Sequence, residues 1–127
     1  MKYATLAARF LLAAIFIVFS LNFWLHFLNL PGPAADSPAG TFMGVLFTTG
    51  YLAAVKVLEL LGGIFVASGR LLGAGLLILG PIILNILAFH MFVARDIAKQ
   101  PMVIGIAALA LFLLWTKREK FFAFATA

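Results

Sequence analysis

Four long apolar runs, parted by short polar or proline-rich breaks, leave this chain little choice of architecture. The first run is Phe10 to Leu30, 21 residues without a charged side chain. At about 1.5 Å per residue a helix of that length crosses roughly 30 Å of hydrocarbon. The second run lies between about Thr41 and Ala67, with an interruption near Gly50 left open. The third is Leu71 to Ala94, with Pro81 inside it, and the fourth runs from Pro101 to about Thr116. Pro31, Gly32, Pro33 and Pro38 end the first run, because such a segment cannot continue a helix. Ser68-Gly69-Arg70 reads as a tight turn, Pro101 suits the first turn of a helix, and Lys117-Arg118-Glu119-Lys120 leaves the membrane.

Unbroken apolar runs favour helices over a barrel, whose strands would alternate with period two. Composition agrees: 65% of the chain is hydrophobic and 10% is charged, against about 45–50% and about 25% in soluble domains. So few charges cannot cover a water-soluble surface, which excludes a soluble enzyme, a DNA-binding domain and a disordered tail. The expected fold is an all-α integral membrane four-helix bundle. It forms a single transmembrane domain over residues 1–127, with spans at about 10–30, 41–67, 71–94 and 101–116 and an outer loop at 31–40. Lys2 and Arg9 ahead of Phe10 imitate a signal peptide. The apolar run is too long for one and no small-x-small cleavage site follows, so it is read as the first membrane helix.

Orientation is read from lysine and arginine. With the N-terminus in the cytoplasm, Lys2, Arg9, Arg70, Lys117, Arg118 and Lys120 lie inside, and only Arg95 and Lys99 lie outside. That satisfies the positive-inside rule and places both termini in the cytoplasm. The net charge of +5 therefore sets topology and does not point to nucleic acid. The chain has no cysteine, which excludes disulfides, thiolate metal sites and thiol–disulfide chemistry.

The second span carries an energetic problem. Leu52 to Ala67 holds nine strongly apolar residues, together worth roughly −3 to −5 kcal/mol on an insertion scale. Lys56 and Glu59 each cost roughly 2.5–3.5 kcal/mol at the membrane centre. The span is marginal alone, and its charged face must turn towards the bundle or a wet cavity. Three residues apart on a helix, the two can meet. They form either a self-neutralising structural pair or a ligand or proton site.

Other polar residues join them. Asn22, His26 and Asn29 have the spacing i, i+4, i+7 and would form one stripe on the first helix, within about 60° of arc. Bundle hydrogen bonding is the favoured account of the asparagines, whereas a histidine is equally a ligand and a proton carrier. Asn85 and His90 lie about 140° apart on the third helix, and Asn85 can serve backbone groups freed by Pro81. Counted inward at about 1.5 Å per residue, His26, His90 and Tyr51 lie near the outer boundary. Asn22, Asn85 and Lys56 lie about 12–15 Å down, and Glu59 about 20 Å. This column narrows inward and favours a pocket open to the outside.

In order along the chain stand Asn22-x-x-x-His26, Pro31-x-Pro33, Thr49-Gly50-Tyr51, Lys56-x-x-Glu59-x-x-Gly62-Gly63, Arg70, and Pro81-x-x-x-Asn85-x-x-x-Phe89-His90. This ordered set resembles the DoxX-like family of small bacterial membrane proteins over about residues 10 to 95. The resemblance implies a four-helix bundle of the bacterial inner membrane with a role in redox metabolism, named after a membrane subunit associated with thiosulfate:quinone oxidoreductase. It gives Lys56, Glu59, Tyr51, His26 and His90 a quinone-side role. The first expectation is a redox-associated membrane subunit that binds a quinone or similar amphiphile through His26, Tyr51, Lys56, Glu59, Asn85, His90 and Asn22. The second is a binding, transport or scaffold bundle without chemistry. The third is a metal or haem protein ligated by His26 and His90. The expected partners are the lipid bilayer and a soluble or membrane oxidoreductase, with self-association open and nucleic acid not expected.

Overall fold

The computed structural model describes residues 2–28 and 32–126. Helix α1 runs from Lys2 to Leu25, starting well before the expected Phe10 and stopping short of Leu30. Its early start follows from Ala4, Ala7 and Ala8, strong helix formers that carry the helix out to the basic end. Its early stop has a local cause. His26 takes a left-handed φ of 53°, a conformation more open to histidine than to most residues. Asn22 then closes the helix with both of its carbonyl oxygens: the His26 N–H donates to its backbone oxygen at 2.9 Å, and the Leu28 N–H donates to its Oδ1 at 2.7 Å. The stripe expected of Asn22, His26 and Asn29 required a continuous helix. His26 lies beyond the helix end, and Asn29 is outside the described residues.

The run expected as one span at 41–67 is two helices. The short α2, Pro38–Thr48, begins with Pro38 in its first turn and Ser37 as cap, whose Oγ accepts from the Gly40 N–H at 3.0 Å. It ends where the Thr49 hydroxyl donates back to the Val45 carbonyl at 2.7 Å and Gly50 turns left-handed at φ 81°, a conformation that costs glycine nothing. The next helix, α3, is Tyr51–Ser68. Gly69, at φ 75°, turns the chain directly into α4, Leu72–Ala88, which a π-helical turn prolongs through Phe89–Val93. Arg95 stops it in a left-handed conformation at φ 55°. Helix α5 is Pro101–Thr116, and α6, Arg118–Thr126, leaves it at an angle of 75°.

The long helices pack as a ring, α1 on α3, α3 on α4, α4 on α5 and α5 on α1, while α2 covers α3 and the π-helical turn. Leu12, Phe16, Val66, Leu76, Leu79 and Leu113 meet in its core. Glycines set the closest seams. A Cβ at Gly63 would stand 2.9 Å from Ile17 and 3.3 Å from the Ala13 carbonyl on α1. One at Gly75 would stand 2.9 Å from the Gly62 carbonyl on α3. Small residues that let backbones approach are the usual packing device of membrane helices. Three helical segments, Lys2–Leu25, Tyr51–Ser68 and Leu72–Val93, are long and apolar enough to cross a membrane. The bent pair α5–α6 qualifies when taken together. Large apolar side chains such as Leu84, Leu111, Phe92 and Leu77 stand on the outside, which suits a hydrocarbon surround.

Candidate functional site

One charged pair is built into the ring. Lys56 and Glu59 sit three residues apart on α3, and the Lys56 ammonium approaches Glu59 Oε2 at 3.1 Å. The i, i+3 spacing brings them together, since each helical turn returns the chain to the same face. Glu59 is buried, with 5% of its surface exposed, and Lys56 is partly buried. Gly62 and Gly63 follow Glu59 by one turn, so the carboxylate lies on the stretch of α3 that approaches both α4 and α1. A lone carboxylate there would be an unpaired charge among apolar side chains, whereas the lysine gives it a charge-assisted hydrogen bond.

The other expected site residues are placed as follows. Tyr51 opens α3 and is exposed. Asn22 is half-buried and engaged in ending α1. His26 is exposed beyond that helix end. Asn85 is exposed, and its Nδ2 donates to the carbonyl of Pro81 one turn earlier at 3.0 Å. Pro81 has no N–H for the carbonyl of Leu77, but the Asn85 bond goes to the proline's own carbonyl instead. Among the described residues no group of three or more histidine, aspartate or glutamate side chains is arranged to hold a metal ion.

His90 belongs to a separate cluster. Its Nδ1 lies 2.7 Å from Asp96 Oδ1, and Gln100 Nε2 donates to the other carboxylate oxygen at 3.1 Å. The chain doubles back to allow this, with the Asp96 N–H donating to the His90 carbonyl at 2.9 Å. The hydrogen bond from His90 holds the Asp96 carboxyl below its ordinary value. Burial opposes this more weakly, and the bond from Gln100 reinforces it. Asp96 and Gln100 escaped sequence reasoning because a spacing of six fits neither a helix nor a strand. The one available signal was that Asp96 is the only acid in the polar segment after Ala94. Phe89 stacks edge-on against His90 and also packs on Phe42 of α2, with ring centroids 5.0 and 5.4 Å apart.

Two clefts open at the opposite end of the ring. One encloses about 210 Å³ between the α3–α4 turn and the α5–α6 bend, and the other, about 260 Å³, lies along Thr116 to Lys120. Neither is lined by any of the residues expected to form the site. Compared with protein families, with curated proteins and with solved structures, the chain matches none.

Proposed function

We propose that this chain is a DoxX-like multi-pass protein of the bacterial inner membrane, with both termini cytoplasmic. In this reading it is a membrane subunit of redox metabolism that binds a quinone or similar small amphiphile, with Lys56 and Glu59 as the polar end of the site. The observation that carries the reading is the 3.1 Å charge pair in the apolar ring, with Glu59 buried. Apolar residues of similar volume would serve packing at least as well, and ionisable groups inside a membrane bundle mark ligand or proton sites as a rule. An ammonium has three donors, so Lys56 can hold Glu59 and still offer an N–H to a quinone carbonyl. Tyr51, five residues earlier on α3, stands about 8 Å further out and offers a hydroxyl nearer the boundary. Entry from the outer face follows from the positive-inside orientation and from the ionisable residues of α3 standing on its outer half.

A second reading, a binding or scaffold bundle without chemistry, is favoured by one observation. Asn22, Asn85 and His90 are all engaged in local hydrogen bonds, which leaves few free groups for proton transfer.

The test is extraction of the protein, purified in mild detergent, followed by mass spectrometry and an absorption spectrum. Wild type is compared with Lys56→Met/Glu59→Gln. The expected result is a co-purifying quinone-type molecule in the wild type and a folded, empty double variant. A double variant that is equally stable and still loaded refutes the role of the pair.

A further inference from the structure

The cleft between the α3–α4 turn and the α5–α6 bend has a chemistry of its own. Arg70, Lys117 and Lys120 line its rim, and Leu77, Phe121 and Phe124 its apolar wall. A fourth cation stands behind it. The Arg9 guanidinium packs against Gly69, which also lines the cleft; a Cβ there would stand 2.5 Å from one of its terminal nitrogens. The Arg9 Nε is buried and has no hydrogen-bond partner. Among the described residues no carboxylate pairs with any of these four cations, the ion pairs being Lys56–Glu59 and His90–Asp96. Glu119, on the adjoining turn, makes no ion pair with them.

Helix α6 explains the apolar side of this site. It leaves α5 at 75°, so with α5 along the bundle axis it lies nearly in the plane of the membrane surface. Arg118, Glu119 and Lys120 open it, and Phe121, Phe122 and Phe124 follow, with Phe122 and Phe124 largely exposed. A short helix that joins cations to exposed aromatics suits the boundary between headgroups and acyl chains. The cleft therefore has cations where phosphates lie and apolar side chains where acyl chains begin.

We propose that the cleft between the α3–α4 turn and α6 binds the headgroup of an anionic phospholipid. Arg70, Lys117 and Lys120 hold its phosphate, with Arg9 behind them, and its acyl chain lies along Leu77, Phe121 and Phe124. Arginine and lysine clustered at a membrane surface attract anionic lipid in this way, and guanidinium matches a phosphate with paired N–H donors. The surplus of four cations without a carboxylate is what selects an anionic headgroup over a zwitterionic one. Gly73 lines the same cleft, and a Cβ there would meet nothing within 4 Å. A larger side chain at that position would fill the cleft without disturbing the helix.

The experiment uses the full-length protein in mild detergent. Phosphatidylglycerol, phosphatidylcholine and inorganic phosphate are each titrated against thermal unfolding, and lipid retention is read by native mass spectrometry. Wild type is compared with Arg70→Gln/Lys117→Gln/Lys120→Gln and with Gly73→Leu. Phosphatidylglycerol is expected to raise the unfolding temperature and phosphatidylcholine to leave it unchanged. The triple variant is expected to lose at least about tenfold in retention, and Gly73→Leu to lose retention with all charges intact. Equal retention of the two lipids, or full retention by both variants, overturns the proposal. Stabilisation by inorganic phosphate equal to that by phosphatidylglycerol overturns its lipid part. Should the triple variant fail to fold, Gly73→Leu alone decides.

Discussion

Replacing Gly75 with alanine, beside the same change at Gly73, tests the seam between α3 and α4 by steric effect alone. Both positions are inside α4, so both gain up to about 1 kcal/mol of helix propensity. They differ in what the new methyl meets: at Gly73 nothing within 4 Å, at Gly75 the Gly62 carbonyl and the Val66 N–H nitrogen, both at 2.9 Å, with Val66 Cγ2 at 2.7 Å. The Val66 side chain could rotate away, but the two backbone atoms cannot. Ordinary contact begins near 3.4 Å, so the two helices must part by about 0.5 Å. A gap of that size forfeits about a quarter of the dispersion energy of each contact along the seam. Overpacking of this kind costs about 1–3 kcal/mol, which outweighs the propensity gain. Gly75→Ala should therefore be about 1–3 kcal/mol less stable than Gly73→Ala, since the equal propensity gains cancel. For a chain of this size that is roughly 4–12 °C in unfolding temperature, read by circular dichroism in detergent. Equal unfolding temperatures for the two variants would refute the close seam.

Three further outcomes follow from local features. Asn22→Ala removes the acceptor for the Leu28 N–H and should cost about 1 kcal/mol, with faster amide exchange confined to residues 26–28. Asp96 has its carboxyl held low by His90. Its contribution is therefore present above the ordinary carboxylate value of about 3.9 and is lost as pH falls through the lower folded value. The unfolding temperature of the wild type should fall more steeply below about pH 4 than that of Asp96→Asn; parallel acid limbs would argue against the cluster. Cysteines placed at Ala35 and Ala98 should react with an impermeant maleimide in intact cells while one at Ala125 is protected, and the reverse pattern would invert the orientation.

The helical class and the turn at Gly69 were legible from hydropathy and from glycine and proline punctuation. So was the Lys56–Glu59 pair, because an i, i+3 spacing holds in any helix. What escaped depends on how helices end. The reading of Asn22 and His26 as one stripe assumed a continuous α1, and hydropathy carries no signal that a left-handed histidine ends a helix inside an apolar run. The break between α2 and α3 was readable as Gly50 but not decidable, since a glycine inside an apolar run is also tolerated in an unbroken membrane helix. The His90–Asp96–Gln100 cluster needed the π-helical turn, which shifts the phase of α4 by a residue and has no sequence signature. In the sequence the basic residues at the α6 end are legible only as topology markers, because their convergence on one cleft depends on the 75° bend after Thr116.

The turn at Gly69 bears on how the chain enters the membrane during synthesis. α3 carries two charges and two adjacent glycines, so on its own it partitions into lipid with little or no net gain. α4 is more apolar than α3 and carries no charged side chain. Only three residues separate them, Ser68 ending one and Leu72 beginning the other. At about 5–20 residues per second the ribosome delivers the rest of α4 within seconds of α3. The pair can therefore partition as a single hairpin, with the strongly apolar half carrying the weak one. Lengthening the connection would separate the two events and leave α3 waiting at the interface, exposed to quality-control proteolysis. A turn that looks like mere economy in the folded protein thus sets the order of events before folding is complete.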